Sequence, residues 1–113
     1  MQLVSDEYIE FWFDEVWDGS LDWDEANLRK LPKHGLESSE VESLVSRPFA
    51  LEGRIEPPEN EEWNESRYLL LSILDSGKGF ALIFTTRETK LRPITCRRMR
   101  PNEEKKFKKF LKG

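Results

Sequence analysis

The residues of this chain best suited to chemistry are its arginines. Arg67, Arg87, Arg92 and Arg97, with Arg98 beside the last, lie on or at the ends of three stretches that read as neighbouring strands. A guanidinium keeps its charge across the physiological range and donates a two-pronged fork to phosphate or carboxylate oxygens, so several on one sheet surface would hold a phosphodiester. The alternative for each, taken singly, is an ion pair with one of the chain's many carboxylates. Strand alternation narrows the choice. In an unbroken strand Arg92, Ile94, Cys96 and Arg98 share one face and Leu91, Thr95 and Arg97 the other, so Arg92 and Arg97 meet in one pocket only if Pro93 marks a bulge. Arg97 therefore ranks first, with Arg67 and Arg87 next. A single cysteine, Cys96, and a single histidine, His34, leave no disulfide and no Cys- or His-based metal motif, so neither metal nor cofactor is expected.

The elements that must position these side chains follow from hydrophobic spacing. Ile9, Trp12, Phe13, Val16 and Trp17 recur at helical intervals, with Ser5 as N-cap and Gly19 able to end the helix. After a short extended piece around Leu21 to Trp23, Asp24 is placed to cap a helix running towards His34, and Gly35 sits where a C-cap needs a positive φ. A further helix starts near Ser38 or Ser39, buries Val41, Leu44 and Val45, and stops before Pro48. Phe49 to Ile55 reads as a strand, then a polar loop runs from Glu56 to Glu65. Arg67 to Leu74, Phe80 to Arg87 and Lys90 to Arg98 form an antiparallel meander. Pro101 opens a last helix with Phe107, Phe110 and Leu111 on one side. The expected fold is α+β: a mainly antiparallel four-stranded sheet with a helix pair and a C-terminal helix. Leu69, Leu71 and Ile73 point to one face of their strand while Tyr68, Leu70 and Leu74 point to the other, so both faces need a cover. The helix pair suits one. The C-terminal helix, the N-terminal helix or a second protein chain, including another copy in a homodimer, would serve the other.

Composition limits the classes. At 113 residues the chain has room for one domain, and with 37% hydrophobic residues, four Trp and seven Phe it is globular and not disordered. Its longest apolar runs, Tyr68 to Leu71 and Phe80 to Phe84, fall far short of the roughly 18 residues of a membrane span, and no basic, apolar leader opens the sequence, so a cytoplasmic protein is expected. The formal charge of −4 conceals a split: residues 1–66 carry five Lys/Arg against eighteen Asp/Glu, a net of −13, and residues 67–113 carry thirteen against four, a net of +9. No Lys or Arg precedes Arg29, so residues 1–20 form an acidic amphipathic extension to a domain spanning 21–113.

The segment "LDWDEANLRKLPKHGLESSEVESL" from Leu21 to Leu44, "LIFTTR" from Leu82 to Arg87, and "LRPITCRRM" from Leu91 to Met99 followed by Glu103 together resemble the BrnT toxins of bacterial type II toxin–antitoxin modules. The resemblance covers roughly residues 21 to 111 and rests on the combination of a WDExN segment, KHG and an RPI(S/T)xR segment. It implies a fold similar to RelE-like ribonucleases, an RNA-cleaving activity that inhibits translation, and a BrnA-like antitoxin that covers the toxin and joins it on promoter DNA. Two positions depart from the family pattern: Arg98 stands where a tyrosine is often found, and Phe107 where the last helix often has an aromatic hydroxyl.

A metal-free ribonuclease makes the RNA's own 2′-OH attack the adjacent phosphate, which requires cationic donors, a base and an acid. Under this resemblance Arg97, Arg67 and Arg87 are the candidates for the phosphate, with Arg92, Arg98, Lys30 and Lys33 as further RNA contacts. His34 is of a type that titrates near neutrality and suits proton transfer, or it bonds the carbonyls at its helix end. Glu103, four residues before Phe107, reaches back to Arg97 as general base or as ion-pair partner, the ion pair taking precedence. Lys105, Lys106, Lys108, Lys109 and Lys112 either track an RNA backbone or form a solvated face. Trp12, Trp17 and Trp23, flanked by acids, read as packing residues and not as stacking platforms. The acidic extension is expected to fold over the basic sheet face or helix in place of an acidic partner. A catalytically inactive binding module of the same fold is the alternative function.

Overall fold

A computed structural model describes all residues, 1–113. Strand β1 (Leu3–Val4) leads into α1 (Glu7–Glu15), then α2 (Glu25–Lys30), which tightens into a 3-10 turn over Leu31–His34, and α3 (Ser38–Ser46). Strands β2 (Ala50–Ile55), β3 (Arg67–Ile73), β4 (Gly79–Arg87) and β5 (Lys90–Arg98) follow, and α4 (Pro101–Lys112) ends the chain. The strands lie side by side in sequence order, every neighbour antiparallel, in a sheet of five and not the expected four. The additional strand is β1. Its two residues carry no local signal, and it exists because Leu3 and Val4 find Ile55 and Arg54 on β2.

Local chemistry explains the helices. Asp24 accepts hydrogen bonds from the N–H groups of Ala26 and Asn27, as its position before the helix predicts. Pro32 falls where α2 changes to the 3-10 turn, and Gly35, at φ 70°, closes that turn with its own N–H bonded to the Pro32 carbonyl. α3 is opened by Glu40, whose carboxylate reaches back to accept the Glu37 N–H at 2.9 Å. At α1 the cap is Asp6, not Ser5: its carboxylate accepts from Tyr8 N–H, and it also binds Arg54 of β2 at 3.1 Å.

The two-sided apolar pattern of β3 produces two cores. On one face Tyr68, Leu70, Leu82 and Phe84 pack against Ile9 and Trp12 of α1, Leu31, and Val41 and Leu44 of α3. On the other Leu69, Leu71 and Ala81 pack against Met99 and Phe107 of α4. The extension therefore does not lie over the basic helix. α1 shares the helix pair's face, with Ile9 and Trp12 each only 1% exposed, while α4 covers the opposite face. Each fully buried aromatic or aliphatic side chain contributes about 1.5–3 kcal/mol, so a helix that buries two such residues is integral to this core. Ser72, the buried polar exception on β3, is satisfied by donating to the Leu44 and Pro48 carbonyls at the end of α3.

Candidate functional site

The β4–β5 register decides which arginines meet. Thr95 lies opposite Ile83, but the next pair is Pro93 with Phe84, leaving Ile94 as an extra residue on β5. Pro93, which has no N–H to give the ladder, sits beside this bulge. The bulge restores Arg92 to the face of Thr95 and Arg97, the one α4 covers, because Arg92 pairs with Thr85 and Arg97 with Ala81. On β3, Arg67 alternates with Leu69 and Leu71 and so projects from the same face. Extending the β3–β4 register by one residue puts it beside Thr85, whose hydroxyl donates to the Ser66 carbonyl at 2.7 Å. Arg67 and Arg92 thus flank Thr85, with Arg97 further along β5.

These three guanidinium groups are held differently. Arg97 donates twice to Glu103, at 2.7 and 2.9 Å, and once to the Arg98 carbonyl. Glu103, 6% exposed, also accepts the Arg100 N–H, which completes the first turn of α4. The paired hydrogen bonds raise the Arg97 guanidinium above its ordinary range and hold the Glu103 carboxyl below its own. Arg97 and Glu103 are therefore an ion pair, as the simpler expectation had it. Arg92 binds Asp22 at 2.7 Å, and Arg67 lies 3.4 Å from Glu65 without hydrogen-bond geometry while its guanidinium stacks 4.3 Å above the Trp63 ring. The Nε atoms of both Arg67 and Arg92 are buried without a hydrogen-bond partner.

Two clefts open beside this row and share Ile94 and Thr95. A narrow one of about 20 Å³ on the outer edge of β5 is lined by Lys30, His34, Trp23 and Asn27, and the Asn27 amide donates to the Pro93 carbonyl at the bulge. A wider one of about 250 Å³ is lined by Trp63, Arg67, Ile55 and Ile83. His34 is exposed and makes no side-chain hydrogen bond, so the helix-end role considered for it is filled by the Gly35 N–H.

The remaining candidates lie apart. Arg98 pairs with Phe80 on the other face, stacks 5.5 Å from that ring and donates to the Gly79 carbonyl. Arg87 is exposed at the β4–β5 turn, and Lys33 is exposed and lines neither cleft. Cys96 is buried, and burial pushes its thiol up to about 12, which keeps it protonated and inert. No three His, Cys, Asp or Glu side chains group closely enough to hold a metal ion. The Trp12 and Trp17 indoles donate to the carbonyls of Glu88 and Ser20 and pack together on the helical face, consistent with their reading as packing residues. Two features escaped the sequence reading: the Arg67–Trp63 stack and the Arg92–Asp22 bridge. Both join residues across a loop or from distant segments, and neither leaves a periodic trace.

A family model for the ribonuclease toxin BrnT of type II toxin–antitoxin systems matches residues 23–103. The chain belongs to the BrnT family. The matched stretch begins at Trp23, after α1, and ends at Glu103, so it contains the bulge, both clefts' shared residues and the arginine row. Membership brings a ribonuclease activity, an RNA target and an antitoxin partner. Neither the curated proteins nor the solved structures contain a match to this chain. No helix of this BrnT-family chain is long and apolar enough to cross a membrane.

Proposed function

We propose that the chain is an endoribonuclease that works without a metal ion, cuts RNA by activating its 2′-OH, and thereby inhibits translation until a BrnA-like antitoxin covers it. One observation carries this reading: the Ile94 bulge brings Arg92 to the face of Arg67, beside the cleft lined by Lys30 and His34. In this scheme Arg67 and Arg92 hold the scissile phosphate, their positive charges opposing the negative charge that develops on its oxygens. Lys30 steadies the neighbouring phosphate. His34 exchanges the proton as the 2′-oxygen bonds to phosphorus and the 5′-oxygen departs protonated, leaving a 2′,3′-cyclic phosphate. Arg97 and Glu103 fix α4 to the sheet and take no proton. The sheet with its C-terminal helix is read as RelE-like.

The deciding experiment is cleavage of RNA in EDTA, comparing wild type with Arg67→Ala and His34→Ala. Each substitution is expected to slow cleavage by about 10²-fold or more, with cyclic-phosphate ends from wild type. A second reading, a binding module that no longer cleaves, is favoured by the Arg97–Glu103 lock and by Phe107, which is buried and has no hydroxyl. RNA retention by wild type with no cleavage, with or without EDTA, would select it.

A further inference from the structure

We propose that the cavity between Trp63 and the β5 bulge is a pocket for one unstacked nucleobase, with the RNA backbone passing along the β5 edge. This rests on the reading of the arginine face as the RNA surface and adds a subsite to it. The cavity of about 250 Å³ has an aliphatic floor formed by Ile55, Ile83 and Ile94, and its wall is the Arg67 guanidinium laid over the Trp63 indole. A flat heterocycle fits such a wall, because any base offers a π face to an indole or a guanidinium whatever its sequence. The indole is held for this role: its Nε1 donates to Glu61 at 3.3 Å, and Arg67 braces one face.

Charge fixes the orientation. The loop that carries Trp63 also carries Glu59, Glu61, Glu62 and Glu65, and Glu56 lines the cavity, so phosphates other than the one at Arg67 are repelled from that side. Past the shared residues Ile94 and Thr95 lies the cleft of Lys30 and His34, and Arg92, next to Pro93 on that cleft's wall, projects from the same sheet face as Arg67. A strand whose phosphates follow Lys30 and Arg92 turns a base across Thr95 towards Trp63. The apolar side chain of a protein partner would fill the floor equally well, but it would supply no negative charge to Lys30, which makes no ion pair, or to Arg92, whose bridge to Asp22 is partly exposed. A phosphate-bearing ligand pairs them.

The test uses the full chain and RNA that cannot be cut, so that it reads binding whether or not the chain cleaves. A set of 2′-O-methyl hexanucleotides, each with one position made abasic in turn, is titrated against wild type, Trp63→Ala and Trp63→Phe. Wild type is expected to lose about tenfold in affinity at one abasic position, and Trp63→Ala to lose about tenfold with the intact oligonucleotide and nothing further at that position. Trp63→Phe, which keeps a ring, is expected to retain most of the binding and the abasic penalty. An abasic penalty of equal size in wild type and Trp63→Ala overturns the proposal. So does unchanged binding of the intact oligonucleotide by Trp63→Ala, which would leave the cavity to a protein side chain. Failure of wild type to cleave RNA, with this coupling present, would remove the ribonuclease reading and leave the pocket standing.

Discussion

Arg97 of β5 and Glu103 of α4 are joined by two parallel hydrogen bonds across the gap between sheet and helix. Their side chains are 17% and 8% exposed, so the pair is largely out of water, and Glu103 spends a further lone pair on the Arg100 N–H. Removing one partner of a buried pair costs roughly 3–5 kcal/mol, and partial exposure here lowers the expectation for Arg97→Ala to about 2 kcal/mol, read from chemical denaturation. The pH dependence has a definite sign. The folded carboxyl sits below its ordinary value of 4.5, so the folded state binds fewer protons than the unfolded chain. Its contribution is complete above that value and is lost as pH falls through the lower folded one. Wild type should therefore lose melting temperature on acidification below about pH 4.5, and Arg97→Ala should lose less over the same range.

Trp12 occupies the centre of the helical face, 1% exposed, with Phe13 and Trp17 against it and its Nε1 bonded to the Glu88 carbonyl at the β4–β5 turn. Asp18 ties the same turn through Thr89 and Lys90. Trp12→Ala is expected to cost roughly 3–5 kcal/mol, a large share of a small domain's stability. Deleting residues 1–20 should leave a chain that unfolds at far lower denaturant concentration than wild type. A truncated chain with an unchanged unfolding midpoint would show that α1 is a removable cover.

Much of this architecture was legible because its signals are local. Asp24 and Gly35 mark helix ends by side-chain chemistry and backbone freedom, and the alternation of Tyr68 to Ile73 required two covered faces before any cover was known. The site was legible only in part. Pro93 signalled where a bulge would matter, but the register shift itself depends on β4, and only with it does Arg92 join Arg67. Trp63 reaches Arg67 through the fold of the 56–65 loop, and Asp22 reaches Arg92 through the bridge of Leu21 to Leu91. Such contacts are made by chain segments meeting in space, and residue type alone does not foretell them.

Gly53 tests the strand that the sequence did not announce. It sits at the β2 irregularity with φ 128°, and a Cβ added there would lie 2.4 Å from the Val4 carbonyl oxygen. Gly53→Ala must strain the backbone and push β1 away, at a cost of about 1–3 kcal/mol. The Glu56 N–H, which donates to the Gln2 carbonyl, should then exchange with solvent faster than in wild type, while the amides between β3 and β4 keep their order of protection. Equal exchange at Glu56 in both proteins would mean that β1 tolerates the added methyl.

The row formed by Arg67 and Arg92 and the cleft of Lys30 together make a prediction about salt. Each phosphate contact with single-stranded RNA contributes about 0.7 to the slope of log affinity against log salt. Lys30→Ala and Arg92→Ala should therefore each reduce the slope by about that amount, measured with an uncleavable oligonucleotide. Lys109 is exposed on the last turn of α4, away from both clefts, and its neighbours there are Lys108 and Lys112. Lys109→Ala should leave the slope unchanged if the α4 lysines are a solvated face. Arg92 adds a control, because its partner Asp22 is one-third exposed and the bridge contributes less than about 1 kcal/mol. Loss of slope in Arg92→Ala at an unaltered melting temperature assigns that residue to the phosphate, whereas loss of slope in Lys109→Ala alone would move the RNA track to α4.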